Sequence, residues 1–159
     1  MARWIMLKWR SQGSVPNTEV AFLALGSNLG DREANLAAAL SLASASPGCE
    51  VLAQSSIDET TAVGPGEQGP YLNQMVAVRT DMSPEELLSL CMEIEKQGGR
   101  VRSEDLPRWC PRTIDVDIVT FGKKVVNEPD LVIPHPQLAH RNFWQRELKE
   151  LENILSDRR

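Results

Sequence analysis

Asp115 and Asp117 lie in a segment that alternates between apolar and polar residues, and this alternation is the strongest constraint on the fold. A period of two predicts a half-buried β-strand. Successive side chains of a strand point to opposite faces, so Val116 shares the core face with Ile114 and Ile118, and both acids lie on the other face. The fold must therefore contain a sheet whose second face tolerates two adjacent carboxylates.

The two acids are spaced for metal binding. Along a strand they start about 6.6–6.8 Å apart at the backbone, and flexible carboxylates can converge from there onto two divalent ions roughly 3.5–4 Å apart. Arg102, Arg108 and Arg112 precede them, and guanidinium groups bind phosphate oxygens as carboxylates bind Mg²⁺. This combination predicts a metal–polyphosphate site. The alternative is a solvated strand face, and the arginines, Trp109 and Pro111 count against it.

Length and composition restrict the class of protein. The 159 residues are enough for one domain with a single core, and 42% hydrophobic and 25% charged residues are typical of a globular protein. A net charge of −5 argues against nucleic-acid binding, and no apolar stretch approaches the roughly 20 residues of a membrane span. We expect a monomer with one domain over 20–159, preceded by an extension over 1–19 that is either uninformative or a targeting segment.

The cysteines follow neither a disulfide nor a zinc pattern. Cys49, Cys91 and Cys110 are odd in number and lack C-x-x-C spacing, and only His135 and His140 could join them as ligands. Cys91 lies in the apolar stripe of a predicted helix, so it is expected in the core. These features favour a reducing, cytoplasmic location.

The predicted elements follow the order strand, helix, strand, strand, helix, strand, with a final amphipathic helix. This order predicts an α+β, ferredoxin-like split βαβ sandwich with a mainly antiparallel sheet, helices on one face and the active site on the other. RNA-binding modules share such sheets, but only 5% of the residues are aromatic and the two acids would repel a phosphate backbone. The predicted strands begin at Val20 and span 51–57, 71–80 and 113–121, with a loop over 58–70 and a hairpin after Phe121 into an edge strand.

The second helix has clear boundaries. It begins at Ser83 and Pro84, where Glu86 completes a capping box, and it ends at Gly98-Gly99. The segment 99–110 that follows contains arginines but no buried periodicity. Because glycines can absorb large dihedral changes, we predict that this segment is a lid that closes over bound substrates.

Two further places carry polar residues suited to a ligand. Tyr71 and Asn73 lie side by side on a predicted strand, and a ring beside an amide could bind a flat, hydrogen-bonding heterocycle. Packing of the tyrosine on a loop, with the asparagine holding a turn, is an equally open interpretation. His135 is fixed between two prolines, so it is either structural or a donor to phosphate.

Five motifs occur in a fixed order: A-L-G-S-N-L-G-D-R at 24–32, G-P-x-x-Q-x-x-Y-L-N ending at Asn73, G-R-V-R at 99–102, R-W-x-P-R-T-I-D-V-D-I at 108–118, and P-H-P with Arg141 and Phe143 downstream. Together they resemble the 6-hydroxymethyl-7,8-dihydropterin pyrophosphokinases of folate biosynthesis, and their order makes the match highly specific. The resemblance runs from about Val20 to Phe143. Cys110 replaces a glycine of the family, and the chain after Phe143 lacks the family's usual apolar run.

The resemblance implies transfer of the β,γ-diphosphate of ATP to the pterin hydroxymethyl group, leaving AMP. It implies two Mg²⁺ ions held by Asp115 and Asp117, with catalytic roles for these acids and for Arg100 and Arg102. The implied ATP-binding residues are Glu95, Arg100, Arg102, Arg112, His135 and Arg141. The implied pterin-binding residues are Thr60, Val63, Tyr71, Asn73, Trp109 and Phe143. The alternative is a diverged relative that binds MgATP or pterin without turnover.

Overall fold

The computed structural model describes residues 17–64, 66–107 and 110–159. The helices in these ranges are α1 (Arg32–Ala45), α2 (Pro84–Gln97) and α3 (Asn142–Asp157), with a short 3-10 helix (Pro136–Ala139) before α3. The strands are β1 (Glu19–Ser27), β2 (Cys49–Gln54), β3 (Asp58–Thr60), β4 (Tyr71–Thr80), β5 (Asp115–Phe121), β6 (Val126–Glu128) and β7 (Leu131–Ile133). Most of the predicted extension lies outside the described residues, and β1 begins at its last residue.

The main sheet has the strand order β2-β4-β1-β5, and every neighbouring pair is antiparallel. Because β1 and β2 both run antiparallel to β4, which lies between them, they are parallel to each other across α1. β3 pairs with the first residues of β4 on the same edge as β2. The predicted α+β class with a mainly antiparallel sheet is confirmed.

An apolar core lies on each face of the sheet. α1 and α2 pack on one face against β-strand residues that include Leu23, Val76 and Ile118. α3 packs on the other face, where its Trp144 and Leu151 belong to a core with residues of β2, β4, β1 and β5. The face that the sequence analysis left for ligand is therefore shared, because α3 contacts β2 and β4 while the acids of β5 lie on the same side of the sheet.

The ends of α2 follow from local chemistry. The Ser83 side chain accepts a hydrogen bond from the Glu86 amide, and the Glu86 side chain accepts one from the Ser83 amide, which confirms the capping box. At the other end a Cβ on Gly98 would lie 2.5 Å from Cγ2 of Ile114. Gly99 then takes a φ of +85°, a conformation that favours glycine. α2 therefore ends where its last turn meets β5.

Several strands differ from the sequence prediction, and β5 begins at Asp115 rather than at Thr113. β2 ends at Gln54 rather than at 57, and β3 lies inside the predicted loop. β3 has no apolar alternation, and it forms because β4 extends beyond β2 and offers it a free edge. The predicted edge strand after Phe121 pairs with β7 in a separate two-stranded sheet. No helix in the described ranges is long and apolar enough to cross a membrane.

Candidate active site

The two acids of β5 lie opposite the smallest side chains of β1. Asp115 pairs with Gly26, and Asp117 pairs with Ala24. Both acids alternate with buried residues of the opposite core, as the strand periodicity predicted. The sheet therefore leaves space above the carboxylates on the side that α3 shares.

Asp115 is bound by two arginines. Its Oδ1 accepts a hydrogen bond from Nη1 of Arg100 at 2.5 Å, and its Oδ2 accepts one from Nη1 of Arg112 at 2.9 Å. Burial raises the pKa of Asp115, but the charges of Arg100 and Arg112 outweigh it and hold the pKa below its ordinary value. Asp115 is therefore a carboxylate at neutral pH.

Glu95, near the end of α2, also binds Arg100 and in addition binds Arg102. Its side chain is 3% exposed and accepts hydrogen bonds from Arg100, from Arg102 and, at 3.0 Å, from the amide of Val116. Burial raises the pKa of Glu95, and the bonds from Val116 and Arg102 and the charge of Arg100 oppose this rise. Glu95 thus gives Arg100 and Arg102 a charged partner within the protein.

Asp117 has fewer compensating contacts. Its Oδ1 lies 3.9 Å from Nε2 of His135, and its side chain is 33% exposed. Burial and the charge of Asp115 raise the pKa of Asp117 to about 7, against the opposing charge of Arg141. The pKa values of the two acids are therefore shifted in opposite directions, although the acids are only two residues apart.

The entrance of β4 carries the predicted heterocycle-binding pair. Asn73 donates a hydrogen bond from Nδ2 to Oγ1 of Thr60 at 2.7 Å, and Thr60 pairs with Tyr71 in the β3–β4 ladder. Gly26 lies opposite Asn73, and a Cβ there would lie 3.4 Å from Cδ1 of Tyr71. Burial raises the pKa of Tyr71, so its hydroxyl keeps its proton at neutral pH. These three polar side chains carry no charge.

His135 and Arg141 are both placed by one indole ring. The His135 ring meets Trp144 edge to face at 5.0 Å between centroids, and the Arg141 guanidinium carbon lies 4.4 Å from the same ring centroid. His135 accepts a hydrogen bond at Nδ1 from the Gln137 amide, so Nε2 is left toward Asp117. Burial and the charge of Arg141 lower the pKa of His135. Trp144, which is buried, thereby fixes two predicted ATP-binding residues.

Asn28, just after β1, links two loops. It donates from Nδ2 to Oε1 of Gln68 and to the carbonyl of Gly69, and its Oδ1 accepts from the amide of Arg112 at 2.8 Å. A cavity of about 570 Å³ lies on the Arg112 side and is lined by Leu29 and by residues of 99–107 and 110–113. This volume is ordinary for a small-molecule site.

The profile of the 7,8-dihydro-6-hydroxymethylpterin-pyrophosphokinase family matches residues 22–153. The chain belongs to this family. Similar proteins include the 2-amino-4-hydroxy-6-hydroxymethyldihydropteridine pyrophosphokinase of Bacillus subtilis, which is 40% identical over 83% of this chain and 77% of the relative. Relatives of the same name from Methylorubrum extorquens and Haemophilus influenzae are 40% and 37% identical, over 82% and 77% of this chain and 81% and 75% of their own.

The residues that family resemblance assigns to the site fall into groups. The charged cluster consists of Glu95, Arg100, Arg102, Arg112 and Asp115. The neutral cluster consists of Thr60, Tyr71 and Asn73. Asp117, His135 and Arg141 adjoin each other beside Trp144. The roles assigned to all these residues stay predictions.

The other residues predicted to bind the pterin are less buried or lie outside the described residues. Val63 lies in the loop before β4 and is 77% exposed. Phe143 is half-buried in the first turn of α3, 6.4 Å from the ring of Trp144. Trp109 and the neighbouring Arg108 lie outside the described residues. The structure therefore brings Thr60, Tyr71 and Asn73 together but places Val63 in open solvent.

Sequence reasoning assigned no site role to Gly26, Asn28 or Trp144. Gly26 and Asn28 belong to the motif at 24–32, but their contacts are with residues distant in sequence. Trp144 could have been found from its spacing: it follows Arg141 by three residues at the start of a helix, and this spacing brings the aromatic ring beneath the guanidinium. A helix pattern alone assigns such a tryptophan to the core.

The acid pair fits a magnesium site. Mg²⁺ takes oxygen ligands and usually binds through one or two carboxylates together with substrate phosphates. Asp117 has a pKa raised to about 7 by burial and by Asp115, and a cation would offset that repulsion. The described residues contain no group of three metal-ligating side chains, so phosphate oxygens would complete the coordination of such an ion.

Proposed function

We propose that this protein transfers diphosphate from ATP to 6-hydroxymethyl-7,8-dihydropterin, giving AMP and the pterin diphosphate, a step of folate biosynthesis. Membership of the pyrophosphokinase family supports this reaction. The observation that carries it is the position of Gly26, which pairs with Asn73 on one side and Asp115 on the other. One residue without a side chain thus separates a neutral cluster suited to the pterin from a charged cluster suited to a polyphosphate.

The charged cluster binds ATP by an exchange of partners. Arg100 and Arg102 are bound to Glu95 in the structure, and the phosphates of ATP offer their guanidinium forks several charged oxygens in exchange. Asp115 and Asp117 would hold two Mg²⁺ ions, which supply charge neutralisation for the phosphates when bound. When the phosphates take over the arginines, Asp115 is released from its ion pair with Arg100 for that role.

The neutral cluster positions the pterin. Asn73 presents its Oδ1 to a ligand, because its amide nitrogen donates to Thr60 and to the carbonyl of Asp58. Tyr71 offers a ring face beside it, next to the space over Gly26. A flat pterin held there directs its hydroxymethyl group along the sheet toward the acids of β5.

The transfer itself needs placement more than proton chemistry. The hydroxymethyl oxygen attacks the β-phosphorus of ATP, the bond from that phosphorus to the α-phosphate's bridging oxygen breaks, and AMP leaves with that oxygen while the hydroxyl proton is lost to water. Arg100, Arg102 and Arg112 stabilise charge on the phosphates, and His135 and Arg141 bind the nucleotide from the opposite side. The segment 99–110 closes over both substrates and excludes water.

Location and assembly follow from simpler features. Cys49, Cys91 and Cys110 are unpaired thiols, which agrees with a reducing cytoplasm. We further propose that the protein acts as a monomer.

Chromatography of the nucleotide products tests the reaction directly. With ATP, Mg²⁺ and the reduced pterin alcohol, we expect AMP to form in a pterin-dependent way. ADP as the only pterin-dependent product would indicate transfer of a single phosphoryl group and contradict the proposal. Binding of MgATP or pterin without any turnover would favour the inactive relative instead.

A further inference from the structure

Glu147 is a buried acid that the proposed reaction does not use. It lies on the sheet side of α3 and is 1% exposed, and neither carboxyl oxygen accepts a hydrogen bond from any donor in the described residues. The strands packed against α3 face it with apolar residues such as Ala53, Met75 and Ala77. An ionised carboxylate in such a place would be costly.

A second acid, Asp58 of β3, lies against the same part of α3, because its carboxylate pairs with Arg146, the residue before Glu147. Two carboxylates repel, but a protonated carboxyl can donate a hydrogen bond to a neighbouring carboxylate. Burial and Asp58 raise the pKa of Glu147 to about 8, and Arg146, which also pairs with Asp58 at 3.3 Å, opposes the rise. Glu150 on the same helix adds a smaller repulsion.

Asp58 connects this pair to the neutral cluster. It is the first residue of β3, and its carbonyl accepts a hydrogen bond from Nδ2 of Asn73 at 3.5 Å. Two residues further along β3, Thr60 accepts the stronger bond from the same amide. β3 has only three residues and Asp58 is the first of them, so the way Asp58 is held bears on the position of Thr60.

α3 holds this edge at a second point without a titrating proton. Glu150 accepts hydrogen bonds from the amide and the hydroxyl of Ser56, both at 2.9 Å. Ser56 lies between β2 and β3, so the helix already fixes the start of the connection. Glu147 lies one helical turn before Glu150 on the same helix, and Asp58 lies two residues after Ser56.

We propose that Glu147 is a positioning residue for the pterin: as a protonated acid it donates to Asp58 and holds β3, and with it Thr60, against Tyr71 and Asn73. This inference rests on the proposed function for its kinetic consequence. Loss of the proton replaces an attraction with a repulsion across the α3–β3 contact. Pterin affinity should therefore decline as pH rises through the titration of Glu147, whereas ATP affinity should not follow it.

The decisive comparison is between the wild-type protein and Glu147→Gln across pH 6.5 to 9.5. Glutamine donates to Asp58 at every pH, so the variant should keep a constant contact. The ratio of the wild-type to the variant KM for 6-hydroxymethyl-7,8-dihydropterin should rise about tenfold toward the upper pH, while the ratio of the KM values for ATP stays flat. Taking ratios at each pH removes the titration of the substrate and of groups that both proteins share.

Arg146→Gln is the matched control. It removes the exposed ion pair with Asp58 but leaves the shared proton, so the rise in pterin KM should persist and move to higher pH, because Arg146 lowers the pKa of Glu147. Superimposable pterin profiles for wild-type and Glu147→Gln would overturn the proposal. An equal effect on the ATP and pterin constants would overturn it too, since it would indicate general loosening.

Hydrogen exchange provides a readout that does not need activity. Protection of the amides of 58–60 should fall above pH 8 in the wild type and stay constant in Glu147→Gln, after correction for intrinsic rates. If Glu147→Gln does not fold, Asp58→Asn should likewise abolish the pH dependence, because its amide can donate to ionised Glu147. Protection that is independent of pH in the wild type would refute the inference, whereas absent turnover with normal exchange behaviour would count only against the proposed reaction.

Discussion

The charged and neutral clusters lie on one sheet, one strand apart, and are built in opposite ways. Every charged side chain of the charged cluster already pairs with another member of the cluster. Arg100, for example, binds both Glu95 and Asp115. The neutral cluster has one internal side-chain hydrogen bond, from Asn73 to Thr60, and its geometry follows from strand register. The first must break contacts to bind its ligand, whereas the second is already arranged for one.

This difference bears on where binding energy and rate originate. Ion pairs with a buried carboxylate are strong enough to order arginines but can be exchanged for phosphates of higher charge. Neutral hydrogen bonds contribute less individually but lose little when a heterocycle replaces water. We therefore expect changes in the charged cluster to act mainly on turnover and to be large, and changes in the neutral cluster to act on pterin affinity and to be small.

The largest effect on turnover should come from replacing either of the two acids of β5. Asp117→Asn should reduce turnover by roughly two to three orders of magnitude at saturating Mg²⁺, because it removes a predicted metal ligand. The folded-state pKa of Asp117 is raised from 3.8 to about 7, so its contribution to stability is lost as pH rises through 7. The variant should therefore be more stable than wild type at pH 8, by about 1 kcal/mol after allowance for its partial exposure, as measured by urea unfolding.

Asp115→Asn is the matched comparison. It should be as inactive, but it should lose stability because Arg100 and Arg112 lose a charged partner. Near-wild-type turnover in either variant would contradict the metal assignment. Equal stability changes in both would contradict the electrostatic difference between the acids.

A second test removes the anchor of the arginines. Glu95→Gln removes the charge, and one of the two acceptor oxygens, that bind Arg100 and Arg102. We expect kcat/KM to fall roughly 10–100-fold, as for other residues that orient catalytic groups. Steady-state kinetics with ATP as the varied substrate measures this. Glu93→Gln on the same helix changes an exposed acid that pairs only with Gln97 among the described side-chain bonds, and it should have no effect. Unchanged kinetics in Glu95→Gln would mean that phosphate alone orders the arginines.

Local signals predicted much of this architecture. The alternation around Val116 put the acids on the correct face, and the capping box at Ser83 and the glycines at the end of α2 gave its limits. These features depend on neighbours within a few residues, so the sequence contains them. The predicted strand at 71–80 matches β4 for the same reason.

Contacts between residues distant in the chain could not be predicted from the sequence. Glu95 looks like a surface acid of a helix, and its burial depends on two arginines and on the amide of Val116. β3 has no pattern of its own and forms on an edge offered by β4. The amphipathic pattern of α3 predicted a helix but not the sheet face it covers, because α1 and α2 already occupy the other one.

A substitution of Trp144, next to the charged cluster, should have a smaller effect than the changes at the acids. Trp144→Leu removes the ring under Arg141 and beside His135, and a stacked guanidinium is worth about 0.5–2 kcal/mol. ATP affinity should weaken roughly tenfold and pterin affinity should stay constant, as measured by calorimetry with a non-hydrolysable ATP analogue. Trp144→Phe keeps an aromatic ring and should recover part of the loss. Equal weakening of both ligands would indicate a general loss of packing instead.

The smallest effect should come from Thr60→Val in the neutral cluster. It removes the hydroxyl that accepts the hydrogen bond from Asn73 at 2.7 Å and keeps the branched shape that β3 needs. A neutral hydrogen bond contributes about 0.5–1.5 kcal/mol, so the KM for pterin should rise about threefold to tenfold while kcat and the KM for ATP stay unchanged. Thr60→Ser keeps the acceptor and should behave like wild type. Salt sharpens the contrast: pterin binding should be the same at 50 and 500 mM salt because no charge is involved, whereas ATP binding at the charged cluster should weaken. A Thr60→Val effect on kcat equal to its effect on pterin KM would place Thr60 in the transition state and remove the distinction between the two clusters.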